Sequence, residues 1–188
     1  MSKSNPPNFV IVTTNKNKLL EINQILDTKH KISKIEVPEI QSLDLNQVIA
    51  QKAKAAYEKI KKPVLVEDIS FEIQSLKGLP GPFVKYFLQR LGTEGTVKLV
   101  GNKSTKTKVT AALALYNGST LKIFKGIVWG TLSKKNRGES GFGFDKVFIP
   151  KGYDKTFAEM DLSLKNKISH RARALKKLKD YLTNNEKN

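Results

Sequence analysis

Lys16 and Lys18 stand at the head of VIVTTNKNKLLEINQIL (residues 10–26), where a strand gives way to a helix and carboxylates would be expected instead. The first turn of a helix exposes unpaired N–H groups and the positive end of its dipole, yet the first acid in this stretch is Glu21. A phosphate chain resting on Thr13, Thr14, Asn15, Lys16, Asn17 and Lys18 would supply the missing charge. Solvated lysines are the plainer alternative, since they cost only about 0.3–1 kcal/mol against the dipole. The G-x-x-x-x-G-K-[ST] phosphate loop is absent.

Glu67 and Asp68 form a second group, two acids closing the apolar run PVLVED, and Glu39 follows VP at the end of an earlier run. Three carboxylates at strand ends suit Mg²⁺, a hard cation that takes a few carboxylates together with phosphate oxygens and water. One of them could take a proton from metal-bound water. A solvated acidic pair opening a loop is the alternative. In GFGFD (residues 141–145), glycines flank Phe142 and Phe144, either of which offers a flat face to a base, while Asp145 could accept hydrogen bonds from a base or sugar. Core phenylalanines at a strand entry would look the same. In KNKISHRAR, Ser169 is a good N-cap, so His170 and Arg171 fall in the first turn of a helix that again begins with cations. Together the four groups describe a nucleotide polyphosphate and its metal.

The elements that must position them follow from periodicity. NFVIVTT is a β-branched run, and Leu19, Ile22 and Leu26 then recur at helical spacing. HKISKIEVPEI alternates and predicts a second strand closed by Pro38. Asp44 and Gln47 have capping-box spacing ahead of a helix whose apolar face is Ile49, Ala53, Ala56 and Ile60. PVLVED predicts a strand buried on both faces, ending at the acids. GLPGP forces an irregular turn, and FVKYFLQRL with TEGTVKLV is mainly helical. TKVTAALALY, with Val109, Ala111, Leu113 and Leu115 on one side, and NGSTLKIFKGIVWGTL predict a hairpin. KVFIP is a short strand, and Ile168, Ala172, Leu175 and Leu182 mark a final helix. The order βαβαβ followed by a hairpin predicts an α/β fold with a mixed sheet. No internal repeat or domain-scale linker is present, so residues 1–188 are expected to form one domain, frayed at 1–8 and 183–188.

The formal charge of +17 points to polyanionic partners. Its lysines are spread along the chain, with four arginines and no basic block interleaved with aromatics, so a lysine-rich solvated surface accounts for most of it. No apolar stretch approaches a membrane span, MSKSNPPN has no signal-peptide core, and cysteine is absent. A reducing compartment, the cytoplasm, is expected.

TTNKNK (13–18), VPEI (37–40), VEDISFEIQSLKGLPGPFVKYF (66–87), GFGFD (141–145) and YDKTFAEMDLSLKNKISHRARAL (153–175) together resemble the inosine triphosphate pyrophosphatases, in their eukaryotic and archaeal branch. The likeness runs from about Phe9 to Leu182. It implies an elongated α/β structure, a mixed sheet flanked by helices with two lobes and a central nucleotide-binding cleft, usually a homodimer. It further implies a Mg²⁺-dependent hydrolase, with Mn²⁺ as a substitute, cutting inosine or xanthosine triphosphates to the monophosphate and pyrophosphate. By that likeness Thr13 to Lys18 hold the phosphates with Lys18 the key cation, and Lys52 and Lys85 add phosphate or sugar contacts. Glu39 and Asp68 bind the metal, Glu67 being a further candidate, and Asp68 accepts the proton of the attacking water. Phe142, Gly143, Phe144, Asp145 and Lys165 pack round base and sugar, while His170 and Arg171 face the purine, Arg171 as donor to its 6-oxo group. The sequence departs from the family pattern at Thr14 (usually Gly), Ile69 after the acidic pair (Ser or Thr), Phe144 (Trp or Tyr) and Lys146 (Pro). Ile69 therefore enters the binding set without a hydroxyl. The implied ligand is a purine nucleoside triphosphate, with no membrane and no required nucleic acid. Two alternatives remain: a homologue that binds nucleotide or nucleic acid without hydrolysis, and a pyrophosphatase of shifted base specificity.

Overall fold

In the computed structural model, residues 9–31, 33 and 35–185 are described. Six strands, β1 (Val10–Val12), β2 (Val64–Ile73), β3 (Pro80–Gly81), β4 (Lys106–Tyr116), β5 (Leu121–Leu132) and β6 (Phe148–Pro150), form one sheet. Among the described residues five α-helices accompany them: α1 (Lys16–Leu26), α2 (Leu45–Ile60), α3 (Val84–Val100), α4 (Leu162–Ile168) and α5 (His170–Asn185). The order across the sheet is β1-β2-β4-β5-β6, with β3 also pairing β2. Among the described residues only β1 and β2 run parallel.

Period-two alternation sorts the strands' side chains between two apolar layers. Leu65, Ile69, Phe71, Val109, Ala111 and Leu113 face α1 and α5, where Leu19, Ile22, Leu175 and Leu178 meet them. Val64, Val66, Ala112 and Ala114 face the other way, onto Ile49, Ala53 and Ala56 of α2. Gly126 lets α5 lie against β5: a Cβ there would sit 2.0 Å from the His170 carbonyl oxygen and 2.4 Å from the Ala174 nitrogen. Within α3, Gly92 at φ 65° breaks the helix into the two segments expected from the sequence.

Several expectations are corrected. Residues 33 and 35–40 form no strand, and Ile32 and Lys34 lie outside the described residues, so β1-α1-α2-β2 replaces the βαβ opening. Asp44 caps α2 by accepting from the Asn46 N–H, but Gln47 Oε1 accepts from Ser42 Oγ, so no capping box closes. The strand after Pro63 does not stop at the acids but continues to Ile73, paired throughout with β4. Thr183 to Asn185 are helical rather than frayed, while 1–8 and 186–188 lie outside the described residues. On its other edge β2 pairs β1 only at Val64 to Val66 and β3 only at Phe71 and Glu72. Its edge from Glu67 to Ser70 therefore has no strand beside it among the described residues. That gap, rather than a strand end, is where the acids emerge.

Candidate active site

Because β2 alternates, Glu67 and Asp68 leave it on opposite faces, and two groups of charges result. On the face of α2, Lys52 Nζ lies 2.5 Å from Glu39 Oε1, 3.3 Å from Asp68 Oδ2 and 3.2 Å from the Glu67 carbonyl oxygen. Burial works against a charge at Lys52, but Asp68 and Glu39 outweigh it and hold the ammonium above the usual lysine value. The Ile69 N–H donates to Asp68 Oδ1 at 2.8 Å, which fixes that carboxylate. Three oxygens thus converge on one cation position, a donor set that suits Mg²⁺. Glu67's side chain is not among them, and no group of three or more His, Cys, Asp or Glu able to hold a metal occurs among the described residues. The expected trio is therefore reduced to Glu39 and Asp68.

On the opposite face Glu67 is gripped by Arg171, whose Nε is 2.9 Å and 3.1 Å from the two carboxylate oxygens. Arg171 Nη1 also bonds Glu21, Glu21 accepts from Lys165 at 2.7 Å, and Lys165 donates to Asp145 at 2.6 Å. Lys18 Nζ closes the other end, 4.0 Å from Glu67. The result is an unbroken alternation, Asp145, Lys165, Glu21, Arg171, Glu67, Lys18. Burial opposes ionisation of Arg171, yet Glu67 and Glu21 raise its pKa above the ordinary value. Burial likewise opposes the Glu21 carboxylate, and Arg171 and Lys165 still pull it below the usual range. Burial pushes Asp145 up despite Lys165 and the Phe142 N–H that donates to it. At Lys18, desolvation prevails over Glu67 and lowers the pKa; Lys52 and Asp68 also act on it, which puts the two groups side by side.

The phosphate turn is built differently from the bare helix end expected. Asn15 is the N-cap of α1, and its Oδ1 accepts from the N–H groups of Asn17 and Lys18, while its own N–H donates to Thr13 Oγ1. Thr14, Lys16 and Asn17 are exposed. In the glycine loop, Phe142 is the available ring, with Lys165 Nζ 5.0 Å and Arg171 Cζ 5.6 Å from its centroid. Phe144 is buried, stacked on Phe71 at 4.4 Å, and so serves the core. Gly143 takes φ 63° in the exposed tip between them. Asp145 is turned inward to Lys165 and Phe142 rather than outward as an acceptor. Ile69 faces the α1 and α5 core. Lys85 is exposed, its Nζ 5.7 Å from the Tyr86 ring, and joins neither group of charges. Glu21 is the residue that sequence reasoning missed. Its signal was an acid beside Ile22 on the core-facing side of α1, a position where a charge needs a buried partner.

Ser169 Oγ accepts from the Ala172 N–H, as its place before α5 predicts. His170 follows, buried between Phe144 and Phe157, with Nδ1 unpartnered. Burial, then Arg171, Lys165 and Lys18, hold its pKa well below the ordinary value. An unfolded histidine takes its proton at about pH 6.5, before the folded one does. Stability contributed by neutral His170 is therefore full above about pH 6.5 and falls as pH drops below it, by up to about 1.4 kcal/mol per pH unit. Thermal unfolding from pH 7 to pH 5 is expected to show this decline, and His170→Gln to flatten it. A slope unchanged by the substitution would show that other groups carry it.

The Ham1 family model matches residues 9–181. A dITP/XTP pyrophosphatase of Hyperthermus butylicus is 39% identical over 181 residues, covering 93% of this chain and 94% of its own length. An inosine triphosphate pyrophosphatase of Yarrowia lipolytica is 42% identical over 182 residues, covering 92% and 94%. The solved Ham1 protein of Staphylococcus aureus superposes with a TM-score of 0.81 at 25% identity, covering 94% of this chain and 98% of that one. With a family model matched over residues 9–181 and relatives about 40% identical along more than nine-tenths of its length, the chain belongs to the Ham1 family.

Proposed function

We propose that the chain hydrolyses the triphosphates of non-standard purines, inosine and xanthosine, in ribo or deoxy form, to the monophosphate and pyrophosphate. The observation that carries this reading is the division of β2: Asp68 beside an oxygen-lined cation position on one face, Glu67 in a buried ionic chain beside Phe142 on the other. The names of the relatives support the same substrates.

Glu39 and Asp68 are the residues that would hold Mg²⁺, with Mn²⁺ as a substitute. When bound, the ion would lower the pKa of water and neutralise phosphate charge. Asp68, fixed by the Ile69 N–H, accepts the proton of the water that attacks the α phosphorus. The bond from that phosphorus to the bridging oxygen breaks, and the electron pair leaves on pyrophosphate. Lys16 and Lys18, from the turn that opens α1, would meet that developing charge, and Lys52, once released from the carboxylates, would add a third cation. Phe142 stacks on the base. Arg171 is committed to Glu67 and Glu21 through Nε and Nη1, so Nη2 is its donor toward a 6-oxo group. Adenine would leave such a donor unpaired, an effective means of rejection. The enzyme acts as a homodimer, an assembly that sedimentation would test, and the cytoplasm is its proposed location.

Pyrophosphate release from inosine, xanthosine, guanosine and adenosine triphosphates, each with Mg²⁺ and with chelator, tests the reading. Mg²⁺-dependent release from the first two, at least about 100-fold above the others, is the expected result. Equal rates on all four would reject it.

A further inference from the structure

The sheet extends beyond the start of α2, and no helix covers its outer face there among the described residues. Register places Glu72, Lys108 and Trp129 in one row across β2, β4 and β5. Trp129, the single tryptophan of the chain, is 57% exposed. A groove of about 990 Å³ runs beside it, lined also by Lys77, Lys106, Lys151 and Tyr153. Glu72 is the one acid of that lining, and Lys108 already pairs with it at 2.6 Å. Lys108 Nζ also lies 5.8 Å from the Trp129 ring centroid. None of these residues belongs to the site at the gap in β2.

We infer that this face binds single-stranded nucleic acid, a base stacking on Trp129 while the phosphate backbone follows Lys77, Lys106 and Lys151. An exposed ring beside Lys77, Lys106 and Lys151, which have no carboxylate partner among the described residues, provides on an antiparallel sheet the two contacts that unpaired strands require, a stacking surface and a track of positive charge. A duplex keeps its base faces stacked inside and could use the lysines only. A second copy of the chain laid on the same face would bring lysines against lysines, in a protein of charge +17.

Fluorescein-labelled oligodeoxythymidylate and oligouridylate of about 12 nucleotides, a length suited to one such surface, are the probes. Both are expected to raise anisotropy and to quench Trp129 emission, with a log affinity against log salt slope of about −2 for three phosphates. The two sugars distinguish DNA from RNA as the tighter ligand. Trp129→Ala should weaken binding about fivefold or more while leaving pyrophosphate release unchanged. The double variant Lys106→Glu, Lys151→Glu should bring the slope to about −0.7. Binding without quenching would overturn the inference. So would binding lost in Lys18→Ala but kept in Trp129→Ala, which would assign the oligonucleotide to the nucleotide site. A dimer that Trp129→Ala converts to monomer would give the face to a second copy and overturn it equally.

Discussion

Arg171→Met is expected to cost about 3–5 kcal/mol of folding free energy, the usual penalty for removing one partner of a buried ion pair. Arg171 is 1% exposed and is hydrogen-bonded to two carboxylates that are themselves buried, Glu67 and Glu21. Methionine fills comparable space, so the loss comes from leaving two carboxylates without their shared cation rather than from a cavity. For a chain of 188 residues this corresponds to a fall of roughly 6–20 °C in melting temperature. The triple variant Arg171→Met, Glu67→Gln, Glu21→Gln should recover part of that loss, because the stranded charges go with the cation. Urea and thermal unfolding at pH 7 measure both. A single variant within about 1 kcal/mol of the parent would mean that water or Lys165 compensates, and that Arg171 does not hold the chain of charges together.

Asp68→Asn, by contrast, should leave the fold intact and remove the chemistry. Asparagine keeps an oxygen for the Ile69 N–H, and Lys52 keeps Glu39. What it cannot do is accept a proton from the attacking water or contribute a charge to a cation. The expected loss in turnover is about 10²–10⁴-fold, with a higher Mg²⁺ requirement and stability within about 1 kcal/mol of the parent. Retention of more than a tenth of the activity would remove Asp68 from the role of proton acceptor and leave it as a positioning group for Lys52. The two substitutions therefore separate the faces of β2: one is read by denaturation, the other by rate.

The hairpin, α1, α2 and α5 were legible because amphipathic periodicity and capping act within a few residues. Ser169 illustrates this, since its N-cap bond depends only on the Ala172 N–H that follows. The site was legible as residue types but not as partnerships. Glu67 and Asp68 are neighbours in sequence, and nothing local says that β2 runs on to Ile73 with its edge open between them and β3. Strand alternation then sends them to different work, so Glu67 joins Arg171, 104 residues away. Phe142 and Phe144 were equivalent in the sequence, and only the position of Phe71 decides that Phe144 enters the core. Residues 35–40 alternate like a strand but join no sheet, and alternation within a segment carries no information about whether a neighbouring edge will receive it.

The alternating chain from Asp145 to Lys18 also limits how this sequence can change over time. Five of its six members are at most 4% exposed, and each neutralises its neighbours. A single substitution within it strands a buried charge, so the step is disfavoured even where the final combination would be sound. Descendants of this chain can change solvated lysines outside its binding faces one at a time, but at these positions they must move two residues together or stay where they are.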